Sequence, residues 1–173
     1  SLYGTGATPQ LVPSINGVNT ANTDWQDEVY SSAWTQNLSA SISNASEKGS
    51  YLFSANYIDQ NGLMDNTFYK RFSGRVNSTY NFSKYVRVGE NLMVARWSNR
   101  GADTNGDRGI PYSAMRQHPA IPVYSADGVF ADPSALLGSD IDNPVQTLYN
   151  MRDNTNTSWR VFGNAYIEIM PIK

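Results

Sequence analysis

The chain contains no cysteine, so disulfides and thiolate-bound metals are excluded and the redox compartment is left open. Charge is scarce, 16% of 173 residues, where soluble domains carry about 25%. The formal net charge of -2 and a sequence pI near 5.3 argue against nucleic acid as a partner. No apolar run approaches the ~20 residues a membrane helix needs, and Ser1-Leu2-Tyr3-Gly4 lacks the basic start and apolar core of a secretory signal. The C-terminal residues Tyr166-Ile167-Glu168-Ile169-Met170-Pro171-Ile172-Lys173 stop in what reads as the end of a strand, so a piece of a longer protein is expected.

Reaction chemistry is equally thin. His118 is the only histidine, and nothing is spaced with it as nucleophile and acid. The carboxylates Asp127, Asp132, Asp140, Asp142 and Asp153 are scattered through loop sequence and form no pair for glycosidic cleavage. Asp103-Thr104-Asn105-Gly106-Asp107 has the first spacings of a calcium loop, but Arg108 stands where glycine is needed and Ala114 where glutamate is, so a polar turn is the better reading. Gly4-Thr5-Gly6-Ala7 neither follows a strand nor opens a helix and cradles no phosphate. No enzyme, metal or cofactor is expected.

What the chain does have is alternation. Over residues 68–82, Phe72, Gly74, Val76, Ser78, Tyr80 and Phe82 fall on one side of an extended strand, and Arg71, Ser73, Arg75, Asn77, Thr79 and Asn81 on the other. Residues 37–99 carry four such strands: 37–43, 51–60, 68–82 and about 86–99. In the fourth, Val86, Val88, Leu92 and Val94 share one register and Met93, Ala95 and Trp97 the other, so its faces stay open. A fifth strand over 158–169 puts Trp159, Val161, Gly163, Ala165, Ile167 and Ile169 outward, and Arg160, Phe162, Asn164, Tyr166 and Glu168 the other way. Residues 1–36 read as a loop segment with a short helix capped by Thr23, in which Trp25 and Val29 share a face. Residues 100–157 hold five of the eight prolines and form one long loop, with helical turns at 112–117 and 144–151.

The fold expected is all-β, an antiparallel meander of long strands forming a section of a transmembrane β-barrel. Most of the strands reach the ~9–11 residues that a tilted strand needs to cross a bilayer. The connections run short, medium, short, very long, matching barrels with short periplasmic turns and longer outer loops. Tyr51, Tyr80, Phe82 and Trp159 sit near strand ends of the apolar face, as an interfacial aromatic belt would. A soluble β-sandwich alternates too, so a secreted carbohydrate-binding module is the rival reading and an adhesin fragment a third. The strands should form an open, twisted sheet, whose bare edges invite pairing or aggregation.

Specific strings sharpen this. Asn22-Thr23-Asp24-Trp25-Gln26-Asp27-Glu28, Ser46-Glu47-Lys48-Gly49-Ser50-Tyr51, Tyr57-Ile58-Asp59-Gln60-Asn61-Gly62, Tyr69-Lys70-Arg71-Phe72-Ser73-Gly74-Arg75-Val76-Asn77 and Val86-Arg87-Val88-Gly89-Glu90-Asn91 follow in order. With Pro119-Ala120-Ile121-Pro122-Val123-Tyr124 and Asp127-Gly128, they resemble SusC/RagA-type TonB-dependent transporters just after the plug domain. The resemblance implies an early section of a barrel of about 22 strands in a bacterial outer membrane, importing glycans or peptides. It also implies a SusD-like surface lipoprotein and the TonB complex as partners, the latter through a plug region that this sequence lacks, with residues 100–157 as an extracellular loop.

Candidate contacts with an oligosaccharide or peptide are Trp97, Tyr112, Arg116, His118, Tyr124 and Trp159, able to stack on rings or grip carboxylates. Candidate lumen-facing residues are Arg71, Arg75, Asn77, Arg160, Asn164 and Glu168, with outer-membrane lipid on the opposite face.

Overall fold

The computed structural model describes residues 14–15, 18–19 and 21–171. Gly4-Thr5-Gly6-Ala7 and most of the N-terminal segment lie outside them. The described elements are β1 (Ser14–Ile15), β2 (Val18–Asn19), α1 (Trp25–Val29), β3 (Thr35–Ser46), β4 (Gly49–Asn61), β5 (Phe68–Ser83), β6 (Val86–Arg100), α2 (Ile110–Arg116), α3 (Pro133–Leu137), α4 (Pro144–Asn150) and β7 (Asn156–Ile169). They fall into two compact units. One is the sheet, 33–61, 68–100 and 155–173; the other is a loop unit made of 1–32, 62–67 and 101–154.

The sheet is an antiparallel meander in the order β3-β4-β5-β6-β7, with β3 and β7 as its edges. Its strands run 12 to 16 residues, well beyond the usual ~5–6. They are longer at most ends than hydrophobic alternation predicts. The ladder continues through polar residues, pairing Asn44 with Tyr51 and Ser46 with Gly49, so the turn between β3 and β4 shrinks to Glu47-Lys48. Gly49 closes it with φ +150°, and a Cβ there would clash with the Thr79 carbonyl oxygen. Lys84-Tyr85 is the matching turn between β5 and β6, preceded by an irregularity at Asn81/Ser83 that leaves Phe82 without a register partner.

Register settles the faces of β6. Val76 pairs with Leu92, Gly74 with Val94 and Tyr80 with Val88, so Val88, Leu92 and Val94 share the side of Phe72, and Met93, Ala95 and Trp97 the side of Arg71. Cross-strand partners project to one side of a sheet, so one face is apolar across all five strands, with Ile42, Phe53, Phe72, Leu92 and Val161. Phe72 is 56% exposed, Val161 67% and Ile167 70%; nothing in the sheet covers them. Away from the two tight turns this face becomes charged: Lys70 pairs with Asp59 at 3.0 Å, and Arg96 and Arg100 lie over Trp159 and Phe68. Nearer those turns Glu90, between Val88 and Leu92, accepts from the Ser78 hydroxyl at 3.2 Å.

The loop unit has a core of its own. Trp25 and Val29 of α1 are buried with Ile110 and Ala114 of α2, Ile121, Val123, Ala131, and Leu148 of α4. Thr23 is not the cap of α1: the helix starts one residue later than expected. Asp24 Oδ1 accepts from the Gln26 and Asp27 amides, while Thr23 donates its amide to Pro119 O at 2.9 Å and its hydroxyl to Ile121 O at 2.8 Å. Asn143 is the knot of this unit. Fully buried at the start of α4, its Oδ1 accepts from the Val145 and Gln146 amides and its Nδ2 donates to the carbonyls of Val123 and Ala131. Gln117 plays a similar part, donating to Ile141 O and Asp142 O and accepting from the His118 amide.

Two of the three loop helices were expected. α2 begins two residues ahead of the predicted turn, and α4 continues into a 3-10 turn at Met151–Asp153. α3 was not: five residues are too few to show a period, and only Asp132 as N-cap, Pro133 at the first helical position and Gly138 at φ +63° announce it.

Candidate functional site

Two surfaces carry the candidate residues, and they are built differently. The polar face of the sheet is set by strand parity. Arg71, Arg75 and Asn77 of β5 project from it with Arg160, Asn164 and Glu168 of β7, all on the side opposite Phe72 and Val161. Rows of partners cross it. Asn77 stands opposite Asn91, whose Nδ2 donates to Asn164 Oδ1 at 3.1 Å. Arg87 binds Glu168 at 3.2 Å and donates through Nε to Asn81 at 3.0 Å. On the β3 side Asn56 donates to Asn37 and Ser39.

The arginines at the other end of this face are left over. Arg160 lies over the Trp97 ring at 5.5 Å, and Trp97 stands directly opposite Arg71. The Arg71 Nε–H is buried and has no hydrogen-bond acceptor among the described residues. Such an orphan donor costs about 1–3 kcal/mol. Arg71 and Arg75 line a depression of about 420 Å³ together with Ser39, Ser41, Ser54 and Asn56.

Parity separates the two tryptophans nominated from sequence. Trp97 is on the polar face, whereas Trp159 is on the apolar face, 65% exposed and stacked with Arg96. They cannot grip one ligand.

The remaining candidates lie in the loop unit. Tyr112 and Arg116, one turn apart on α2, turn away from buried Ile110, Ser113 and Ala114, with the guanidinium 5.0 Å from the ring centre. His118 is half-buried and committed to the fold: its Nδ1 accepts from the Ala120 amide at 3.1 Å and its carbonyl from Trp25 Nε1 at 3.2 Å. Tyr124 is exposed and belongs to a group the sequence did not disclose. It stacks on Phe130 at 4.9 Å, Phe130 meets Tyr149 at 5.4 Å, and Arg152 covers Tyr149 at 3.8 Å. A tight turn around Asp127-Gly128, with Ser125 N bonded to Val129 O and Ala131 N to Val123 O, brings the first pair together. Aromatic residues flanking that Asp-Gly turn were the available signal; Tyr149 and Arg152, on α4 and just beyond it, gave none.

Asp103 folds back on itself, its Oδ1 accepting from the Asn105 amide at 3.0 Å, and no group of three metal-ligating side chains exists among the described residues.

No family model matches the chain. Over 130 residues it is 35% identical to the TonB-dependent receptor P3 of Formosa agariphila, which takes in 72% of this chain and 13% of that receptor. It is 28% identical over 148 residues to the TonB-dependent receptor SusC of Bacteroides thetaiotaomicron, covering 85% of this chain and 14% of SusC. Its fold matches a solved chain of the RagAB peptide transporter with a TM-score of 0.66 and 25% identity, over 88% of this chain and 18% of that one. The chain thus spans 13% to 18% of the length of these named relatives. Long amphipathic strands in one open meander, a folded loop and these likenesses converge: the chain belongs to the SusC/RagA-type TonB-dependent receptors, as a section of their β-barrel wall.

Proposed function

We propose that this chain is part of the wall of an outer-membrane importer that takes up glycans or peptides without chemical change, driven through TonB. The observation that carries the proposal is the apolar face of the sheet. Ile42, Phe53, Phe72, Val161 and Ile167 are all exposed, on strands long enough to cross a bilayer. In water such a face would be a large liability; in lipid it is the solvated side. Tyr51, Tyr80, Phe82 and Trp159 serve as the belt, and the two-residue turns lie on the periplasmic side. The polar face, with Arg71, Arg75, Asn77, Arg160, Asn164 and Glu168, fronts the lumen.

Residues 100–157 act as an extracellular loop. Tyr112 with Arg116, and Tyr124 with its stacked partners, are the side chains through which that loop touches cargo or a SusD-like lipoprotein. Among the named relatives RagAB is a peptide transporter, which supports the peptide half of that reading. Expression of the full-length protein in a Gram-negative host tests the reading. The protein should fractionate with the outer membrane and stay dispersed only in detergent. A parent that is monodisperse in plain buffer would instead make this a soluble carbohydrate-binding module.

A further inference from the structure

The polar face of the sheet carries more positive charge than it neutralises. Arg71, Arg75, Arg87 and Arg160 project from it against one carboxylate, Glu168, and Arg87 takes that one at 3.2 Å. The other described ion pairs, Lys70–Asp59 and Arg152–Asp153, involve none of them. No residue outside the described set is Asp or Glu. Among the described residues Arg75 has for partner only the Met93 sulfur at 3.9 Å, a weak acceptor, and Arg160 has the Trp97 ring.

The three arginines are neighbours by register. Arg71 and Arg75 flank Ser73 on β5, Ser73 stands opposite Ala95, and Ala95 stands opposite Arg160. The centre of this triangle is Ser73 with the buried Ala95, both small. Beside it lies the 420 Å³ depression lined by Arg71, Arg75 and the hydroxyls of Ser39, Ser41 and Ser54. A buried Nε–H on Arg71 without acceptor, on a wall that also carries serine hydroxyls and beside two more unneutralised guanidiniums, is the chemistry of an anion site.

We propose that this depression binds a carboxylate, gripped by the planar forks of Arg71 and Arg75, with Arg160 held near it by Trp97. The site itself does not depend on where the protein resides; only a carboxylate supplied by cargo rests on the import reading. The carboxylate has two sources, an acidic side chain elsewhere in the full-length protein or an acidic group on cargo.

The test uses the full-length protein in detergent with two capped peptides, tri-glutamate and tri-glutamine. If cargo supplies the carboxylate, the native protein binds tri-glutamate and not tri-glutamine, and salt weakens the binding. The double variant R71Q/R75Q then loses about tenfold or more in affinity, as expected for a charge-assisted fork. If the protein supplies it, neither peptide binds. R71Q/R75Q then melts below native at low salt, the gap narrows in high salt, and R71K/R75K recovers part of it. Equal binding of the two peptides would overturn the proposal. So would a native protein that binds neither, together with R71Q/R75Q melting like native at every salt concentration. Should the double variant fail to assemble, R75Q alone is judged by the same two readouts.

Discussion

The sheet and the loop unit use the same residue types to opposite ends. The loop unit gathers Trp25, Val29, Ile110, Ile121, Val123 and Leu148 into a closed core, with a buried Asn143 whose side-chain oxygen and nitrogen are both hydrogen-bonded. The sheet closes no core: of its large apolar side chains, none is fully buried, and those on one face are turned outward together. Its internal cohesion is the hydrogen-bonded ladder, and its apolar face is completed by whatever surrounds it. The loop unit is stabilised by what it buries, the sheet by its solvent.

The comparison makes graded predictions. The largest effect belongs inside the loop core. Ile121 is wholly buried, so Ile121→Ala should destabilise the loop unit by about 4 kcal/mol. In the full-length protein, hydrogen exchange or limited proteolysis should show this as opening of residues 101–154 while the strand amides stay protected. Next is the apolar face. Val76→Arg should cost about 3 kcal/mol if lipid surrounds Val76 and close to nothing if water does. Refolding into vesicles monitored by tryptophan fluorescence gives that number. Asn143→Ala removes a cap and orphans two carbonyls, so about 2–3 kcal/mol should be lost from the loop unit, read by the same exchange experiment. The smallest effect is at Tyr112, exposed on α2. Tyr112→Ala should change stability by less than about 0.5 kcal/mol while reducing uptake of a transported oligosaccharide or peptide. Unchanged uptake of every ligand tested would remove it from the contact set.

Much of this fold was legible because a two-residue period is hard to mistake over more than ten positions. Phe72, Val76 and Tyr80 against Arg71, Arg75 and Asn77 state both faces of β5 without help. Strand ends were less legible because backbone pairing runs past the point where side chains stop alternating, as Asn44 and Ser46 do. The faces of β6 needed register, since apolar residues occupy both of its parities, and its Glu90 interrupts the apolar one. In the loop unit the sequence shows caps and breakers but not what they close upon. Thr23 looks like an N-cap, yet its hydroxyl is taken by Ile121 O, ninety-eight residues away. The candidate contacts show the same limit. Trp97 and Trp159 are alike in sequence and lie on opposite faces, and the partners of Tyr124 come from a turn and a helix that no local pattern joins.

The most direct measurement exploits the absence of cysteine from this chain. In a cysteine-free version of the full-length protein reconstituted in bilayers, single cysteines are placed in turn at residues 71 to 78 of β5. Each is labelled and tested for quenching by a lipid-borne quencher and for reaction with a water-soluble thiol reagent. The account predicts strict alternation, with 72, 74, 76 and 78 quenched from lipid and 71, 73, 75 and 77 reached from water. Reaction with the aqueous reagent at every position, with no lipid quenching at 72 or 76, would contradict it.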